Sequence, residues 1–125
     1  MMKRTPETKR QHNEKIGRRA ETIAALYYRL CGYKILAMRY RAPGGEIDLV
    51  AKRGRLIAFV EVKSRASLDA AIEAVTPQTS RRIASAADMF IAHSPHFAEF
   101  DMRYDIFALA GWRFRCITDA WREGE

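Results

Sequence analysis

The chain has 125 residues, 48% of them hydrophobic and 30% charged, with a formal net charge of +7. That length supports one domain with its own core, and the composition is globular rather than disordered. No apolar run approaches the roughly 20 residues of a membrane span, which excludes a helical membrane protein.

Residues 1–13 are polar and aperiodic and read as a flexible arm, with 14–125 as one domain. The opening Met1-Met2-Lys3-Arg4-Thr5-Pro6 leads into further charge, so it is not a secretory signal, and the expected compartment is the cytoplasm. Residues 1–19 carry Lys3, Arg4, Lys9, Arg10, Lys15, Arg18 and Arg19 against Glu7 and Glu14. That surplus suits a nucleic-acid backbone, and equally a solubilising tail. No apolar face accompanies it, which argues against a membrane surface.

From Asn13, a candidate cap, the residues Ala20, Ile23, Ala24, Tyr27, Leu30 and Cys31 fall on one helical face, and Gly32 ends the helix. Glu21 lies beside that face; alone it reads as a solvated acid favoured by the helix dipole. Tyr33–Tyr40 reads as a first strand, residues 41–45 as a turn and Glu46–Ala51 as a second strand. After a turn at Lys52-Arg53-Gly54, a third strand runs Arg55–Ser64, continuously apolar over Leu56-Ile57-Ala58-Phe59-Val60. Ser67–Val75 is a short helix. Thr76 caps a longer one, with Pro77 at its first position, ending near His93-Ser94-Pro95. Met102–Ala110 alternates as a fourth strand, and Trp112–Thr118 is the fifth. Three strands joined by short loops make an antiparallel meander, and a helical crossover to the fourth strand makes the sheet mixed.

Cys31 and Cys116 are too few for a disulfide framework or a thiolate zinc site and read as small core residues. Trp112, Phe114 and Trp121 could stack on bases, but core or C-terminal anchoring is the expected role. Arg103 and Asp105 share a strand face and read as an ion pair.

Asp48, Glu61 and Lys63 stand on strands whose burial should forbid them. Strand alternation puts Glu46 and Asp48 on one face of the second strand, and Glu61 and Lys63 on one face of the third. A simple hairpin register brings Asp48 beside the end of the third strand. Two carboxylates and the backbone carbonyl of Val62 then give hard oxygen ligands for Mg²⁺ or Mn²⁺, with Lys63 beside them. Such a set can hydrolyse a phosphodiester. The exact spacing arises by chance in roughly one chain in twenty-five of this length, and in about half of chains if the gap varies over a dozen values, so alone it is a weak signal. An ion pair at the sheet rim is the competing reading. There is no Gly-rich phosphate loop, zinc-helix spacing or activated Ser or Cys nucleophile.

Several segments together resemble the bacterial YraN family. They are Gly17-Arg18-Arg19-Ala20-Glu21, Gly32-Tyr33-Lys34-Ile35-Leu36, Arg41, Gly45-Glu46-Ile47-Asp48-Leu49-Val50, Phe59-Val60-Glu61-Val62-Lys63-Ser64-Arg65, Arg81-Arg82-Ile83 and Arg103-Tyr104-Asp105. The resemblance implies an α/β, restriction-endonuclease-like fold, a central mixed five-stranded sheet flanked by helices. It implies a nuclease of the PD-(D/E)XK superfamily, similar to archaeal Holliday-junction resolvases. Asp48 and Glu61 would be metal ligands, Lys63 the catalytic lysine and Glu21 an added ligand or metal-water contact. Arg41, Arg65 and Arg82 become phosphate contacts, and Arg18, Arg19 and Arg81 further nucleic-acid contacts. The family often has Asn two residues before Arg41, where this chain has Arg39, and Lys near Gln78.

The expectation is therefore a Mg²⁺- or Mn²⁺-dependent endonuclease on DNA, with branched or damaged DNA as candidate substrates. The alternatives are a nucleic-acid-binding module with little catalysis and a structural protein with rim ion pairs. A homodimer would suit an enzyme that cuts two strands, although nothing in the sequence demands one.

Overall fold

A computed structural model describes residues 6–123. Helix α1 (Lys9–Leu30) precedes strands β1 (Lys34–Ala42), β2 (Gly45–Arg53) and β3 (Leu56–Ser64). Helices α2 (Leu68–Glu73) and α3 (Pro77–Ala92) follow, then β4 (Asp101–Ala110) and β5 (Arg113–Trp121). The sheet order is β1-β2-β3-β4-β5, with β3 and β4 parallel and the other neighbours antiparallel. The α2–α3 connection is the crossover that a parallel pair requires. This is the expected α/β, restriction-endonuclease-like architecture.

Helix α1 begins four residues before Asn13. Thr8 Oγ1 accepts from the Gln11 N–H at 3.1 Å, and the Gln11 side chain accepts from the Thr8 N–H at 2.9 Å. This capping box starts the helix ahead of its apolar face, which is why hydrophobic periodicity places the start too late. Part of the expected arm, residues 1–5, lies outside the described residues. The cap of α3 is Thr76, as the sequence indicates, and Pro77 supplies its first turn.

Each face of the sheet is covered by one long helix. Ala20, Ala24, Ala25 and Tyr28 of α1 pack on Leu49, Ala51, Ala58, Val60 and Phe107. Ile83, Ala86, Ala87 and Phe90 of α3 pack on Ile47, Val50, Ile57 and Phe59. The alanines bring both helices close to the strands. Among the described residues no helix is long and apolar enough to cross a membrane.

Two expected core roles fail. Cys31 caps the C-terminus of α1 and is exposed, whereas Cys116 keeps its expected place, half-buried against the core and the Tyr28 hydroxyl. Trp121 stacks on Tyr104 and Phe114 on Phe107, but Trp112 is 95% exposed. It follows Gly111, whose φ of 63° makes the tight β4–β5 turn, and no layer covers that turn.

Candidate active site

The site begins with an irregularity in β2. Residues two apart on a regular strand share a face. Ile47, however, packs in the α3 layer and Leu49 in the α1 layer, so the strand turns over at Asp48. Glu46 and Asp48 nonetheless line one cleft, on the side that strand alternation expects. Glu46 sits at the surface, 3.7 Å from Arg41. The β2–β3 pairing ends at Leu49 and Val60. Beyond it Asp48 Oδ2 accepts the Val62 N–H at 2.8 Å, so a side chain takes the place of the strand ladder.

That bond brings the two acids together. Glu61 is buried, and its carboxyl lies within hydrogen-bonding reach of Asp48. Lys63 Nζ stands 3.3 Å from Glu61 Oε1. Burial first, then the adjacent Asp48 charge, push the Glu61 carboxyl up to about 8. Burial also raises Asp48, against the opposing pull of the Val62 N–H. Two carboxyls so placed resist joint ionisation unless a cation arrives.

The donor set fits a hard divalent cation. On an extended strand the carbonyl of a residue points the same way as its N–H, so the Val62 carbonyl faces the Asp48 side. Asp48, Glu61 and that carbonyl are oxygen donors of the kind Mg²⁺ or Mn²⁺ takes, the remaining positions going to water and phosphate. Among the described residues no three Asp, Glu, His or Cys side chains form a ready cage. The third acid explains this. Glu21 lies in the same cleft but accepts from Arg39 Nε at 2.6 and 3.2 Å.

The cleft has a volume of about 910 Å³ and brings Glu21, Asp48, Glu61 and Lys63 together with Arg18, Arg39, Arg41 and Arg82. An adjoining hollow shares the same three acids and Lys63 and reaches Val62 and Arg65. Arg82 enters because α3 docks closely on the β1–β2 turn: a Cβ on Gly45 would collide with the Arg82 carbonyl. Two expected contacts stand apart. Arg81 lines a separate hollow beside Trp121 and Arg122, because successive helical residues do not share a face. Arg19 is exposed on α1 and borders neither hollow. Arg39 is the cleft residue that sequence reasoning missed. Its left-handed backbone and its bond to Glu21 leave no signal in strand alternation.

Arg103 and Asp105 do pair, at 2.7 Å, but their further partners are Tyr28, Tyr33 and the Asp119 N–H. They belong to the packing of α1 and β5.

The profile of the Uncharacterised protein family UPF0102, also called the YraN family, matches residues 20–109. The chain belongs to this family. Its UPF0102 relatives include a protein of Paramagnetospirillum magneticum, 48% identical over 122 residues, covering 94% of this chain and 95% of the relative. The UPF0102 protein of Parvibaculum lavamentivorans is 48% identical over 109 residues, covering 86% of this chain and 82% of its own. That of Bradyrhizobium diazoefficiens is 56% identical over 91 residues, 73% of this chain and 68% of its own. The matched UPF0102 segment contains Glu21, Arg39, Asp48, Glu61 and Lys63 and stops before β5.

Proposed function

We propose that this UPF0102 protein is a divalent-metal-dependent endonuclease that hydrolyses phosphodiester bonds in DNA, with branched or damaged DNA as the substrate class. One observation carries the reading: a buried and a half-buried carboxyl meet a lysine where β2 and β3 part, in an arginine-lined cleft. Two mutually repelling acids, one of them buried, weaken a fold that has no cation to place between them. A site that receives a cation uses them.

Asp48, Glu61 and the Val62 carbonyl would hold Mg²⁺ or Mn²⁺. Bound there, the ion would lower the pKa of a water and polarise the scissile phosphate. Lys63 places its ammonium beside Glu61 and stabilises charge that develops on the phosphate oxygens. Arg18, Arg41 and Arg82 neutralise flanking phosphates, while Arg65 does so from the adjoining hollow. Hydrolysis joins the water oxygen to phosphorus and breaks one P–O bond to the flanking sugar. The water's protons end on the leaving oxygen and in solvent.

A second reading keeps the cleft for binding alone. It is favoured by the engagement of Glu21 with Arg39, which leaves only two acids for a metal. One assay separates the two. Purified protein is incubated with end-labelled flap, junction and single-stranded DNA and Mn²⁺. The nuclease reading expects cleavage by the wild type and roughly a hundredfold loss or more in Asp48→Asn and Lys63→Ala. Salt-dependent binding without cleavage under either metal supports the binding module. Equal cleavage by the double variant means a contaminating nuclease.

A further inference from the structure

We infer that Arg39 grips a phosphodiester of the bound nucleic acid and that Glu21 is its positioning residue rather than a metal ligand. This rests on the nuclease reading and assigns the residue that holds the substrate backbone next to the acids.

The first observation is conformational. Arg39 lies inside β1 with φ of 54°, one of two non-glycine residues with positive φ among the described residues. The pairs Met38–Leu49 and Tyr40–Ile47 set Arg39 opposite Asp48, where β2 itself turns over. Such backbone is strained for a long side chain, and the surrounding structure must hold it there. The departure from extended backbone redirects the side chain from an ordinary sheet-face position.

The second observation is how the guanidinium is tied. Its Nε–H is shared by the two Glu21 oxygens, and Glu21 is 7% exposed. Neither Nη group bonds another group among the described residues, and the side chain remains 36% exposed in the cleft. A guanidinium anchored through Nε presents its two terminal nitrogens as a fixed fork, and a phosphate accepts such a fork through two oxygens. The other cleft arginines lack this arrangement. Arg41 has Glu46 at 3.7 Å with its side chain 76% exposed, and Arg18 and Arg82 are exposed without a carboxylate partner among the described residues. Only Arg39 among them enters binding already ordered, with little side-chain freedom left to lose.

The third observation is the role left to Glu21. Both Glu21 oxygens accept from Arg39, so this buried acid has a cation partner without a metal.

Two measurements test the assignment, neither using catalysis. The first is the affinity for a labelled branched DNA duplex in EDTA across a salt series, for wild type, Arg39→Asn and Glu21→Gln. Asn accepts left-handed backbone readily, so Arg39→Asn removes the fork without adding strain. Arg39→Asn is expected to flatten the slope of log affinity against log salt by about 0.9, one phosphate contact. Glu21→Gln flattens it in the same direction, with both variants retaining the wild-type circular dichroism. The second is calorimetric titration with Mn²⁺, where Glu21→Gln keeps the wild-type affinity. An unchanged slope in Arg39→Asn beside salt-dependent wild-type binding overturns the assignment alone. A tenfold or greater loss of Mn²⁺ affinity in Glu21→Gln overturns it too and makes Glu21 a ligand. A wild type that binds no DNA overturns the nuclease reading and the assignment with it.

Discussion

Asp105 and Glu61 are both buried carboxylates, one position apart across the parallel β3–β4 ladder, and they are treated oppositely. Asp105 is wholly enclosed. It accepts from Nε and Nη2 of Arg103, the Tyr28 hydroxyl and the Asp119 N–H, which uses its lone pairs fully. Glu61 has one cation at 3.3 Å and a second carboxyl against it. The first acid is complete within the protein and ties α1, β4 and β5 together. The second is kept short of compensation at the open end of the sheet. A fold able to finish one buried acid and not its neighbour points to the unfinished one as the working site.

The largest expected effect breaks the finished acid. Asp105→Ala leaves Arg103 without its partner, and denaturant unfolding should show a loss of about 3–5 kcal/mol. A loss near zero would remove the contrast between the two acids. The next effect comes from the metal. Mn²⁺ at a hundred times its dissociation constant should stabilise the wild type by about 2.7 kcal/mol at pH 8. Asp48→Asn should show no such gain.

Gly45→Ala should cost roughly 1–3 kcal/mol by pushing α3 off the β1–β2 turn, with Arg82 displaced from the cleft. Thermal unfolding and the salt slope of DNA binding both read this. A variant unchanged in both would show that the close docking of α3 is not what places Arg82.

The smallest effect sharpens the unfinished acid. Folding raises the Glu61 carboxyl to about 8 from an ordinary value near 4.3. The folded state therefore holds its proton longer than the unfolded one does. Glu61 costs nothing below about pH 4, and stability falls as pH rises toward 8. Above that both states are ionised and the cost stays constant. Glu61→Gln should therefore gain roughly 1–2 kcal/mol over the metal-free wild type at pH 9 and little at pH 4. A gap that is equal at both pH values would contradict the burial argument.

The sequence carried the element order, the cap Thr76, the helix-ending Gly32, the crossover and the central trio. Those features are written in local periodicity and capping chemistry. The start of α1 was also written locally, in Thr8 and Gln11, but in polar residues that hydrophobic spacing does not weigh. What the sequence did not carry is long-range geometry. Alternation assumes a regular strand, so it misses the turnover at Asp48, which arises because the Val62 N–H takes a carboxylate in place of a strand partner. Arg39 was hidden for the same reason, since its left-handed backbone and its bond to Glu21 exist only once α1 lies across β1. Trp112 shows the reverse error: apolar character alone suggested burial, and a bare turn left it in solvent.

The most direct test of the central claim is anomalous diffraction from a crystal soaked in Mn²⁺. The account predicts a peak about 2.1 Å from oxygens of Asp48, Glu61 and the Val62 carbonyl, and none beside Asp105. Asp48 and Glu61 closed on a shared proton, with no peak between them at saturating Mn²⁺, would contradict it.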